Sequence, residues 1–274
     1  VVVAGPPSGA PVVLLHGFPE SSFGWRHQIE PLAAAGFRVV APDQRGYADS
    51  GRPRSIGAYR IDRLAGDVVG LLDALGLSRA RLVGHDWGAA VAWWTALAHP
   101  ERIDRLAILN LPHPGVMRRA LRRNPRQMLR SSYILLFQLP GLPEALMRPA
   151  KFTPLVRGLT NSSLPGTFTD AELERYRLIW DRPGALTGML HWYRALRRMP
   201  PVPAAGRVLP PTLVLWGARD AFLGVELARP SVEQCDSGRL VLLEDCTHWL
   251  QHEAPVRVAR ELLRHLGDTP DTTT

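Results

Sequence analysis

Apolar residues follow two alternating patterns along most of the chain. Short continuous runs at 12–15, 37–41, 81–84 and 105–109 predict strands, the first of them ending in Gly17. Between them lie stretches with apolar residues at helical spacing. Over 59–75 these are Ile61, Leu64, Val68, Leu71, Leu72 and Leu75, with Gly76 as the C-cap. Further helices are predicted over 25–35 and 87–98, and residues 1–4 read as the tail of a strand. Strand and helix alternate, which predicts a parallel sheet covered on both faces.

The pattern changes at Pro112. Up to about Pro211, helical stretches at 118–123, 130–138, 143–147, 170–180 and 185–197 are interrupted by Pro and Gly, and a Pro-rich linker over 200–211 closes the block. The alternation then resumes with strands at 212–216 and 240–243 and a helix over 255–266. The expected organisation is an α/β core over 1–111 and 212–268, a helical insertion over 112–211, and a polar tail over 269–274.

Composition narrows the class. The 274 residues are 46% hydrophobic and 21% charged, which fits a globular protein and excludes a disordered one. Two cysteines, Cys235 and Cys246, exclude a disulfide scaffold and read as free thiols. The longest apolar run, 89–98, is too short to span a bilayer. No export leader is visible, so the default expectation is a cytoplasmic protein without membrane insertion. The net charge of +8 is uneven: over 117–207 there are 16 Lys and Arg against 5 Asp and Glu. That segment carries no nucleic-acid motif and no aromatic stacking pattern, and Lys151 is its only Lys. It reads as a solvated helix face or as one that steers an anion or a partner, with no nucleic-acid partner.

The strongest chemical signal is Gly84-His85-Asp86-Trp87-Gly88 between a strand and a helix. Small residues two positions either side of a central one permit a sharp turn that exposes its side chain. Here the centre is Asp86, not Ser. An ionised carboxylate needs no base to become a nucleophile, which points to displacement at a saturated carbon. A capping role alone for Asp86 would leave both glycines unexplained. His16-Gly17-Phe18-Pro19 follows the first confident strand, where the backbone N–H groups of Phe18 and Trp87 could hold an oxyanion. Asp220 and His248 then follow later strands. Nucleophile, acid, His is the chain order of an α/β-hydrolase triad, with Asp220 orienting His248 as general base. Asp245 is a rival acid, but it lies too near His248 and on another strand. His27, His99, His191, His252 and His265 have no motif context and read as surface or structural. No spacing suits a metal, so neither metal nor cofactor is expected.

These motifs resemble the epoxide hydrolases of the α/β-hydrolase superfamily, over nearly the whole chain. The resemblance rests on His16-Gly17-Phe18-Pro19-Glu20-Ser21-Ser22 with Trp25-Arg26, on Ala41-Pro42-Asp43-Gln44-Arg45-Gly46-Tyr47, and on the Asp86 elbow. It implies the α/β-hydrolase fold, a mostly parallel sheet flanked by helices, with the insertion as a helical cap. It also implies two cap tyrosines that hydrogen-bond an epoxide oxygen, at positions matching Tyr133 and Tyr193; Tyr176 is a weaker substitute. Pro19, Phe137, Trp192 and Trp249 would then meet the substrate. Leu136, Leu139, Met147, Phe152, Leu155, Ile179, Trp180 and Met189 would shape the pocket or form cap core. The expected partners are a small apolar epoxide and water; a homodimer is admitted but not required.

A haloalkane dehalogenase shares the Asp-His-Asp set, but Phe18 stands where its halide clamp has Asn. A fluoroacetate-type enzyme would have Arg where Trp87 stands, and Asp86 disfavours an esterase. A catalytically silent binding protein on this fold would be expected to have lost at least one of these parts. Two departures from the family are the weak first strand, as if a leading segment were trimmed or absent, and His113 at the cap entrance, expected to pack at the hinge.

Overall fold

The computed structural model describes residues 1–203 and 207–267. The core sheet has seven strands: β1 (Val2–Ala4), β2 (Pro11–Leu15), β3 (Arg38–Ala41), β4 (Ala80–His85), β5 (Ile103–Leu109), β6 (Thr212–Gly217) and β7 (Gly238–Leu243). Their order is β1-β3-β2-β4-β5-β6-β7. All neighbours pair in parallel except β1, which runs antiparallel to β3 at the edge. The expected strand tail at 1–4 is therefore a short strand of its own.

The strands are apolar at consecutive positions because both faces are buried. Val13, Leu15, Val40, Leu82, Ile108 and Val214 point to one face. There they meet helices α2 (Ile61–Ala74) and α3 (Trp87–Ala98). Val12, Leu14, Val39, Val83, Leu109 and Leu213 point to the other, against α1 (Arg26–Ala34) and the last helix, over 255–266. Period-two alternation thus divides each strand between two cores. Gly76, at φ +69°, follows α2 as the pattern predicts.

Between β5 and β6 lie α4 (Pro114–Arg123), α5 (Pro125–Arg130), α6 (Tyr133–Phe137), α7 (Leu142–Met147), α8 (Pro149–Asn161), α9 (Asp170–Trp180) and α10 (Ala185–Arg194). The chain ends with α11 (Ala228–Val232), α12 (Leu250–Glu253) and α13 (Pro255–Leu266). Several features differ from the pattern reading, which has no counterpart to α11 and α12. The single helix expected over 130–138 starts only at Tyr133, because at Ser131 and Ser132 the backbone passes into i→i−3 turn bonds: the Ser132 N–H donates to the Leu129 carbonyl and the Ile134 N–H to the Ser131 carbonyl, both at 3.1 Å. Helix α8 is unpredicted. Its Pro149 and Pro154 read as breakers, but Ala150, Lys151 and Phe152 have positive φ, so the regular helix begins only beyond them. Pro154 then sits in a first turn, where a missing N–H costs nothing. Part of the 200–211 linker and the 269–274 tail lie outside the described residues. Among the described residues no helix is long and apolar enough to cross a membrane.

Candidate active site

Asp86 sits between β4 and α3 at φ +50°, a conformation that costs a non-glycine residue about 1–3 kcal/mol. Two close approaches make the turn possible. A Cβ on Gly84 would lie 2.5 Å from the Gly88 carbonyl oxygen, and one on Gly88 would lie 2.1 Å from the Leu15 carbonyl oxygen. The turn aims the carboxylate out of the sheet. Its Oδ1 accepts the Phe18 N–H at 2.8 Å, and its Oδ2 lies 3.5 Å from His248 Nε2. The Trp87 N–H belongs to the first turn of α3, whose amides have no intrahelical partner.

His248 Nδ1 lies 2.7 Å from Asp220 Oδ2. Asp220 is itself fixed: its Oδ1 accepts the Phe222 and Leu223 amides at 2.7 and 3.0 Å, and its Oδ2 accepts Asn110 Nδ2 at 2.6 Å. Burial alone would lower the His248 pKa, but the charges and hydrogen bonds of Asp220 and Asp86 outweigh it and push it up to about 10. Burial opposes the Asp86 charge, yet the hydrogen bond and charge of His248, with His85 and the Phe18 amide, hold its pKa below the ordinary value. Asp86 and His248 are thus an ion pair near neutral pH. The rival Asp245 is exposed and pairs with Arg257 at 2.8 Å.

A cavity of about 340 Å³ lies between the carboxyl ends of the strands and the helical insertion. Among the described residues Asp86, His248, Tyr133, Tyr193 and the Trp249 indole bring polar groups to its lining, which is otherwise apolar. Burial, then the Asp86 charge, raises the Tyr133 pKa; burial, Tyr133 and Asp86 raise that of Tyr193. Both phenols therefore remain protonated donors.

A family model described as alpha/beta hydrolase fold matches residues 10–255. The chain is 43% identical over 266 residues to the AB hydrolase superfamily protein YfhM of Bacillus subtilis, covering 97% of this chain and 93% of that one. It is 39% identical over 308 aligned positions to epoxide hydrolase A of Mycobacterium tuberculosis, covering 97% and 93%. The crystal structure of Bacillus megaterium epoxide hydrolase in complex with an inhibitor superposes with a TM-score of 0.87 at 31% identity, over 97% of this chain and 95% of that one. This chain belongs to the epoxide hydrolases of the α/β-hydrolase superfamily.

Within this epoxide-hydrolase framework, Pro19, Phe137 and Trp249, expected to meet the substrate, line the cavity, and so does Phe18, expected only to lend its amide to an oxyanion. Trp192 does not. It is fully buried behind Trp87, 5.7 Å between ring centroids, and its Nε1 donates to the Arg45 carbonyl at 2.8 Å. Leu136, Met147 and Leu155 line the cavity, whereas Phe152, Ile179, Trp180 and Met189 are cap core. Leu139 is exposed. Tyr176 is occupied elsewhere: its hydroxyl donates to Glu20 Oε1 at 2.7 Å. His113 caps α4 and packs its ring on Trp93, at the insertion's start.

Several residues escape the sequence reading. Asn110, at φ +45°, accepts the Gly217 amide on Oδ1 while holding Asp220. His85 Nε2 lies 2.9 Å from the His248 carbonyl oxygen, and its Nδ1 faces Gln251 Nε2 at 3.1 Å and Glu20 Oε2 at 3.4 Å. Glu20 also meets His252 Nε2 at 2.7 Å. Burial works against its charge, but His252 and His85 hold its pKa well below the usual carboxylate range. Only the flanking motifs signal these residues; their partners are far away in the chain.

Proposed function

We propose that this chain opens a small, uncharged, apolar epoxide to a vicinal diol through an ester on Asp86. One observation carries the reading: an ionised carboxylate, its histidine partner and two protonated phenols share a largely apolar cavity. The apolar wall suits a hydrocarbon or aryl substituent. The phenols suit an oxygen on which negative charge develops as the ring opens.

Asp86 attacks one ring carbon and breaks its bond to oxygen, forming an alkyl ester. Tyr133 and Tyr193 hydrogen-bond the departing oxygen and pass it a proton. The proton carried by His248 replaces the one the phenols give up, leaving the imidazole neutral. Esterification removes the charge of Asp86, one of the two carboxylates holding that proton. Neutral His248, oriented by Asp220, then takes a proton from water, and the hydroxide attacks the ester carbonyl. The Phe18 and Trp87 amides hold the resulting oxyanion. Release of the diol restores the Asp86 carboxylate and protonated His248, so the proton count closes over one cycle.

The test is intact-protein mass spectrometry of His248→Gln mixed with styrene oxide. An added mass equal to the epoxide is expected, and Asp86→Asn should give neither adduct nor diol. No added mass on His248→Gln would overturn the covalent step. Bromide release from 1-bromobutane without diol from any epoxide would move the reading to a dehalogenase.

A further inference from the structure

We infer that the outer face of α5, α6 and α7 is a docking surface for an anionic lipid bilayer. Two independent features coincide there. Leu129, Leu135, Leu136, Leu139, Leu142 and Leu146 all project to solvent, Leu129 at 76% and Leu135 at 70% exposure. Globular surfaces scatter large apolar side chains singly; a cluster on three consecutive short helices marks an interaction site. The second feature is charge. Of nine exposed cations over residues 117–157, Arg126 and Arg130 lie on α5 and Arg148 directly follows α7, while Arg118, Arg119, Arg122 and Arg123 on α4 and Lys151 and Arg157 on α8 flank these helices. The one acid in that stretch, Glu144, is committed to Arg194 at 2.8 Å. None of the nine cations forms an ion pair among the described residues.

Exposed leucines flanked by arginines that form no ion pair among the described residues match the chemistry of a bilayer interface, where apolar side chains enter the acyl boundary and cations meet headgroup phosphates. Charge also selects among occupants. A second copy would bring like charges against like, and nucleic acid would leave the leucines without a partner. The surface is continuous with the cavity, because Leu136 and Leu146 line the cavity and are also exposed. A bilayer-partitioned ligand would therefore meet the cavity mouth directly. That last point rests on the epoxide reading; the docking surface does not.

The experiment is co-sedimentation of the whole protein with phosphatidylcholine vesicles, with and without about one third phosphatidylglycerol. Binding at least ~10-fold tighter to the anionic vesicles is expected, weakening as salt screens the charges. Leu129→Ser with Leu135→Ser, neither residue lining the cavity, should lose at least ~10-fold of that binding. The same variant should turn over a small water-soluble epoxide as the parent does. Each of Arg126→Gln and Arg130→Gln should cost about fivefold on anionic vesicles only. Circular dichroism of each variant separates lost binding from lost folding. No sedimentation with anionic vesicles overturns the proposal, as does binding that the leucine changes leave intact. A dimer seen by light scattering and abolished by the leucine changes overturns it in favour of a subunit interface. Salt-sensitive binding to duplex DNA, unaffected by the leucine changes and without vesicle binding, overturns it in favour of a nucleic-acid face. The readout is sedimentation, so loss of the epoxide reading would leave the result standing.

Discussion

In the proposed mechanism, the proton that His248 holds beside Asp86 sets the order of the chemistry. Folding raises the His248 pKa from its ordinary 6.5 to about 10. The stability gained from this is fully present below about pH 6.5 and is lost as pH rises toward 10. The difference in urea unfolding free energy between the parent and His248→Gln should narrow across that window. A constant difference would mean that the folded protein does not hold the proton. Tyr193 tests the other side of the cavity. Its phenol is buried against Phe18, Trp87 and Phe137, so Tyr193→Phe keeps the packing and removes only the donor. Ester formation, followed by stopped-flow, should slow about 10²- to 10³-fold, the usual effect of removing one oxyanion donor.

Short helices in the insertion depend on their ends. Helix α9 begins with a capping box: Thr169 Oγ1 accepts the Glu172 amide at 3.3 Å, and Glu172 Oε2 accepts the Thr169 amide at 2.9 Å. Thr169→Ala should lower unfolding free energy by about 1 kcal/mol, read by chemical denaturation, with turnover unchanged. The pattern of apolar positions is enough to place α9 and α13, because each presents one apolar stripe and starts at a recognisable cap or Pro. It fails at α8, whose kink moves the start of the regular helix, and at 130–138, where the backbone passes into i→i−3 turn bonds between α5 and α6.

Across the whole molecule, the insertion is held to the core by buried side chains with an apolar body and a polar tip. Trp180 Nε1 donates to the Pro19 carbonyl at 2.7 Å, and Trp249 Nε1 to Ser162 Oγ at 2.8 Å. Tyr176 donates to Glu20, and Arg26 pairs with Glu172 at 2.6 Å. Tyr176→Phe leaves the Glu20 carboxylate buried with one donor fewer. It should cost about 1.5–3 kcal/mol, the range for a hydrogen bond to a charged group, and lower the thermal unfolding midpoint. An unchanged midpoint would mean that Glu20 does not fasten the insertion to the core.

The sequence by itself determined the layered fold, the elbow and the order of Asp86, Asp220 and His248. These follow from local rules: side-chain period, turn residues and the position of each group after its strand. Tertiary structure decided what depends on distant partners. Trp192 and Tyr193 are adjacent in α10, yet one packs behind Trp87 and the other faces Asp86, because successive helical residues point about 100° apart. Asn110 and Glu20 acquire their roles only when strands remote in the chain bring Asp220, His85 and His252 to them. No periodicity encodes such meetings, since a hydrogen bond is specified by approach in space and not by spacing along the chain.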